Sequence, residues 1–103
     1  MAAYVYLIEE EPHPGEKTGA WTKIGYSKNP PEWRLGANLK RGNPRNLRVA
    51  AVFEFDSEQA AYTAEQNAHE AFRAHMHQKE WFRIPSEQVR DWFLHSGAKL
   101  CQA

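Results

Sequence analysis

The sequence predicts a small α+β domain built on an antiparallel sheet, and three observations carry that prediction. Three segments, at residues 3–8, 21–26 and 47–55, are rich in β-branched and aromatic residues and alternate as strands do. A long stretch from Asp56 to about His77 places Ala61, Glu65, Ala68, Phe72 and Met76 along one helical face. Strong start and stop signals separate these pieces. In chain order they read β-β-α-β-α, a short extended piece, then α.

The first strand is Ala3-Tyr4-Val5-Tyr6-Leu7-Ile8, with Val5 and Leu7 facing one way and Tyr4, Tyr6 and Ile8 the other. Residues 9–19 hold two prolines, two glycines and mostly charged residues, so they read as a loop that contains Glu9, Glu10 and Glu11. The second strand, Trp21 to Tyr26, sets Lys23 and Gly25 on one face and Thr22, Ile24 and Tyr26 on the other. A long hairpin is the simplest connection between the two strands.

Asn29-Pro30-Pro31-Glu32 is a helix start: Asn29 caps, Pro30 suits the first helical position and Glu32 closes a capping box. That helix runs to about Lys40 and stops at Gly42-Asn43-Pro44, with Arg34 and Asn38 sharing a face. The third strand, Leu47 to Phe55, alternates Leu47, Val49, Ala51, Phe53 and Phe55 on one side. Asp56 or Ser57 caps the long helix. Beyond it, Glu80-Trp81-Phe82 lies in the short extended piece. Ser86 then begins a last helix carrying Val89, Trp92 and Phe93 that ends near Gly97. Residues 1–97 form a single domain and 98–103 a C-terminal tail.

The chain has 103 residues, enough for one domain with a core of ordinary small size. Five Phe, four Trp and four Tyr supply large anchors for that core. No apolar run approaches a membrane span and no signal-peptide pattern opens the chain. The single Cys101 has no partner for an internal disulfide and reads as a tail thiol. An intracellular, cytoplasmic protein is the expectation. Net charge is zero, but the charges are segregated. Lys28, Arg34, Lys40, Arg41, Arg45 and Arg48 face only Glu32 across that stretch, a local basic patch able to hold a polyanion. An ordinary solvated surface is the alternative.

Glu65 is the most informative residue. An ionised carboxylate on an apolar helical face costs several kcal/mol unless a cation or several donors meet it. A slightly rotated helix with Glu65 at its rim is the bland alternative. Strand parity puts Tyr6, Lys23 and Gly25 on one sheet face, within reach of Arg34 and Glu65. Gly25 leaves the backbone there open to a ligand. Together they form a phosphodiester-cleaving set. Glu65 would hold one Mg2+ or Mn2+ largely through water, Arg34 would offset phosphoryl charge, and Tyr6 or Lys23 would orient or deprotonate water. Singly, each has a plainer role: Tyr6 as a strand tyrosine, Lys23 and Arg34 as solvated side chains. His69, four residues after Glu65, is either a ligand or partner of that site or a packed histidine bonded to backbone. His75 and His77, at i, i+2, point apart on a helix and are discounted as ligands.

The order Tyr4-Val5-Tyr6-Leu7-Ile8, Lys23-Ile24-Gly25, Arg34, then Glu65 resembles the GIY-YIG nuclease superfamily, in its small stand-alone branch common in phages and bacteria. Glu65, His69, Phe72 and Glu80-Trp81-Phe82 are similar to that branch's later motif, and the likeness covers about residues 3–85. It implies a three-stranded antiparallel sheet flanked by helices, in the order β-β-α-β-α-α. It also implies a metal-dependent endonuclease acting on nucleic acid, DNA above all. Tyr6 and Gly25 would match the first and second motifs, Arg34 the phosphate-contacting arginine and Glu65 the metal ligand. Three positions depart from the pattern. Lys23 stands for a tyrosine, Asn38 for a proton-accepting residue, and a downstream asparagine has no counterpart. A catalytically degenerate module that binds nucleic acid, or a protein partner as a phage-borne factor would, is the alternative. Trp21 and Trp33 would serve a protein interface.

Overall fold

The computed structural model describes residues 2–10, 21–28, 47–78 and 80–102. Strand β1 spans Ala3–Glu10, β2 Thr22–Ser27 and β3 Leu47–Phe55. Helix α1, Glu58–Ala71, leads through a 3-10 turn, Arg73–His75, into the short strands β4, Met76–Gln78, and β5, Trp81–Phe82. Helix α2, Ser86–His95, and strand β6, Lys99–Gln102, complete the order. The strands make one six-stranded sheet in the order β4-β5-β2-β1-β3-β6, every neighbouring pair antiparallel.

The expected three-stranded sheet in a β-β-α-β-α-α order is therefore corrected to six strands, with two α-helices among the described residues. The three added strands have two to four residues each, too few for a period of two to show in sequence. Long-range pairing makes them. Residues 99–102, read as tail, pair with β3 as β6. Met76, read as the end of the long helix, pairs with Phe82, and Gln78 pairs with Trp81, with a register shift between Met76 and Gln78. The helix expected at 29–40 lies outside the described residues.

The two sheet faces follow from the register. On one, Val5, Leu7, Ile24, Ala51 and Phe53 are sealed by Ala61 and Ala68 of α1 and by Val89 and Phe93 of α2. Phe53 and Phe93 stack with centroids 4.9 Å apart. On the other, Tyr6, Ile8 and Val52 cluster with Tyr4, Val49 and Trp81. The predicted alternation of β3 breaks here. Leu7 pairs with Ala51 but Ile8 with Val49, so Ala50 is an extra, bulged residue. Ala50 thus turns toward the helix-covered face and Val49 toward the Tyr6 face, reversing the sequence assignment of Val49. Glu9 and Glu10 belong to β1 rather than to a loop.

Helix ends are built as their residues dictate. Ser57, not Asp56, caps α1, its hydroxyl accepting from the Ala60 amide at 3.1 Å. At the end of α2 the Ala98 amide donates to the Phe93 carbonyl and the Gly97 amide to the Leu94 carbonyl, both at 3.1 Å. Gly97 takes φ 88°, the left-handed residue that this motif needs. Buried Thr22 donates its hydroxyl to the Ile84 carbonyl at 2.7 Å, joining the start of β2 to the segment after β5.

Candidate functional site

The site grows from the outer edge of β2. Strand β5 pairs with Thr22 and Lys23, and the Ile24 amide donates to the Glu80 carbonyl at 3.0 Å. Beyond that point β5 ends and α1 takes over. His69 bonds through Nε2 to the Ile24 carbonyl at 2.9 Å, and Glu65 meets the backbone of Tyr26. Four helical residues rise about 6 Å and two strand residues about 6.7 Å. Side chains at i and i+4 of α1 therefore match alternate backbone groups of β2.

Glu65 is buried, 4% exposed, so the rim alternative falls away. Its Oε1 accepts from Gln66 Nε2 at 2.8 Å. Its Oε2 has no hydrogen-bond partner among the described residues. Burial pushes the carboxyl above its ordinary pKa. The Gln66 donor and the His69 imidazole pull it back, Glu80 pushes it further up, and the Tyr26 backbone draws it down. Because a carbonyl can only accept, His69 Nε2 carries the hydrogen and cannot also ligate a metal. The ring packs on Phe82 at 5.1 Å, so His69 is held as a packed histidine beside the site.

Lys23 and Gly25 share the Tyr6 face, as parity predicts: Tyr6 pairs with Gly25 and Ile8 with Lys23. Gly25 does not leave the backbone open to a ligand, however. A Cβ there would lie 2.6 Å from the Tyr6 hydroxyl and 2.7 Å from Cζ, so the phenol ring already fills that space. Tyr6 is 1% exposed. Lys23 is not a solvated side chain: it is 15% exposed, with Nζ 3.7 Å from Glu80 Oε2. Glu80 emerges as a member of the site because β5 docks on β2, a pairing of distant segments that spacing does not reveal.

Tyr26, Ser27, Lys28, Glu58, Glu65 and Glu80 line a cleft of about 300 Å3 at this edge. Lys28 is exposed and paired to Glu58 at 3.5 Å. Of the other residues assigned to nucleic acid, Arg34, Asn38, Lys40, Arg41 and Arg45 lie outside the described residues. Arg48 stands in β3 opposite Glu9. A larger groove of about 610 Å3, lined by Phe55, Ala64, Trp92 and Phe93 among others, lies between α1 and the end of α2 and holds no ionisable side chain. No group of three His, Cys, Asp or Glu able to hold a metal occurs among the described residues. The hard, unpartnered Oε2 nevertheless suits one Mg2+ or Mn2+ that keeps most of its water. Among the described residues no helix is long and apolar enough to cross a membrane.

Comparison with curated proteins gives no match, and comparison with solved structures gives none. The likeness to the GIY-YIG superfamily is corrected by the family comparison, whose match is to a distinct family. The motifs behind that likeness are short, and packing accounts for two of their residues: Gly25 makes room for Tyr6, and His69 satisfies Ile24. The model that matches is described as the T5orf172 domain and spans residues 3–95, nearly the whole sheet and both helices, and the chain belongs to the T5orf172 domain family.

Proposed function

We propose that the cleft at the β2 edge hydrolyses phosphodiester bonds of nucleic acid, using one Mg2+ or Mn2+ held by Glu65. The observation that carries the proposal is the buried Glu65 Oε2, a carboxylate oxygen without a partner among the described residues, in a side chain that lines the cleft. Keeping such an oxygen is costly unless a cation meets it. A divalent ion bound there would polarise the phosphoryl group and stabilise the leaving oxygen.

The chain's own groups have separable roles. Gln66 and the β2 backbone orient the Glu65 carboxylate. Glu80 holds the Lys23 ammonium near the cleft as a fixed cation for the phosphate. Tyr6, packed over Gly25, shapes the surface from which Lys23 projects. Arg34 and the other basic residues of the 28–48 stretch would meet flanking phosphates.

The test is incubation of the protein with supercoiled plasmid and single-stranded DNA in Mg2+, Mn2+ or EDTA, beside Glu65→Gln. Cleavage should require metal and fall about a thousandfold in the variant, as expected when several kcal/mol of charge stabilisation are lost. Wild-type rates in Glu65→Gln would refute the assignment. A folded wild type inert with every metal would leave a non-catalytic nucleic-acid-binding domain, the reading favoured by the Lys23–Glu80 pair, which ties up a half-buried cation beside the cleft.

A further inference from the structure

We propose that Trp21, His77 and Arg83, on the same face as Lys23, form a stacking platform for single-stranded nucleic acid that leads into the cleft. The inference rests on the proposed substrate class and names its form. Pairing of Thr22 with Phe82 and of Lys23 with Trp81 puts Trp21 opposite Arg83, one step further along the same two segments. A period of two then places Trp21, Lys23, Trp81 and Arg83 on one face.

The side chains agree with that register. The Arg83 guanidinium lies over the Trp21 ring, 6.0 Å from its centroid. The His77 ring meets Trp21 edge-on at 4.7 Å and 67°. Arg83 and His77 are exposed and Trp21 is half-buried. Neither Arg83 nor His77 is paired with a carboxylate among the described residues. The result is an aromatic surface flanked by uncompensated donors, continuous with a lysine at the candidate site.

Those features suit an unpaired strand better than a duplex. In a duplex each base face is covered by its neighbours, whereas an unpaired base offers its face to an indole and its phosphate to an adjacent arginine. A base seated on Trp21 displaces the mobile end of Arg83 toward the next phosphate. The strand then continues past Lys23 and round the β2 edge, where Glu80 meets Lys23 and lines the cleft with Glu65. A protein ligand would leave the Arg83 guanidinium without a counter-charge unless it were acidic, and would not need the ring face.

The decisive measurement is fluorescence anisotropy of the full chain with a labelled oligonucleotide of about 12 nucleotides, made as DNA and as RNA, in EDTA so that binding is read without cleavage. Trp21→Ala should weaken single-strand affinity about 5- to 100-fold without changing its salt dependence. Trp21→Phe should keep most of the affinity. Arg83→Ala should weaken binding and lower the salt slope by about 0.7. The same sequence as a duplex should lose nothing in either variant. His77→Ala and Arg83→Ala alter exposed side chains and serve if Trp21→Ala does not fold. Wild-type single-strand affinity in the folded variants, or an equal loss for duplex, would overturn the platform, as would absence of single-strand binding by the wild type. A Trp21 effect without metal-dependent cleavage keeps the platform and removes the hydrolytic proposal. Cleavage without a Trp21 effect does the reverse.

Discussion

Glu65 decides more than any other residue because its burial and the missing partner of its Oε2 both disfavour the ionised carboxylate. The folded chain holds the Glu65 proton more tightly than the unfolded chain, since its carboxyl is pushed up mainly by burial. Stability therefore falls as pH rises from the ordinary carboxylate range through the raised value, and the loss persists at neutral pH. Glu65→Gln removes that loss. In EDTA at pH 7 the variant should melt a few degrees above wild type, a gain of about 1 kcal/mol, and show a flatter pH profile by calorimetry. Added Mg2+ should raise the wild-type melting temperature and leave the variant unmoved. A wild type more stable than Glu65→Gln in EDTA would mean that Oε2 is already satisfied. Gly25 is the second residue of consequence. Gly25→Ala should cost about 1–3 kcal/mol in urea unfolding, because the new methyl must displace the Tyr6 ring. In a Tyr6→Ala background that cost should largely vanish, the mark of a direct contact.

At the scale of elements, α1 is the piece that turns a strand edge into a site. Its i, i+4 pair, Glu65 and His69, meets β2 where β5 has run out, so sheet and helix share one row of backbone groups. Both its register and its capping were partly legible in sequence: the Ala61, Glu65, Ala68 stripe is buried as read, and the cap lies one residue later than Asp56. Its end was not legible. Phe72 continues the helical spacing, but the chain tightens into the Arg73–His75 turn so that Met76–Gln78 can pair with β5. For α2 the C-terminal motif carries its own prediction. A Cβ at Gly97 meets nothing within 4 Å, so any cost of substitution is conformational. Gly97→Ala should lower stability by about 1 kcal/mol in urea unfolding, and Gly97→Asn by less, because asparagine tolerates a left-handed backbone better. Equal stabilities would mean that the turn relaxes to another conformation.

Across the whole molecule, the sheet is twice as wide as its long strands alone would make it. Strand β6 covers the edge of β3, with Phe53 paired to Leu100 and Glu54 to Lys99, whose side chains also meet at 3.4 Å. That ion pair is exposed on the lysine side and adds little; the backbone ladder matters more. Truncation after Ala98 should therefore cost about 2 kcal/mol or more and expose a β3 edge, raising aggregation by light scattering. Unchanged stability would show that β6 contributes no net energy. At the opposite edge β4 and β5 bring Glu80 and Trp81 beside Lys23, which sets the charge balance of the cleft.

Local pattern alone determined the three long strands, the two described helices and the Tyr6, Lys23 and Gly25 face, because periods of 2 and 3.6 are written in consecutive residues. It also marked Glu65 as a carboxylate on an apolar stripe. Only tertiary structure decided that Gly25 yields its space to Tyr6, that His69 is committed to Ile24, that Val49 changes face at the Ala50 bulge, and that Glu80 meets Lys23. Each of these depends on contacts between segments far apart in the chain, where pairing register and burial, not the spacing of neighbours, set which atoms meet.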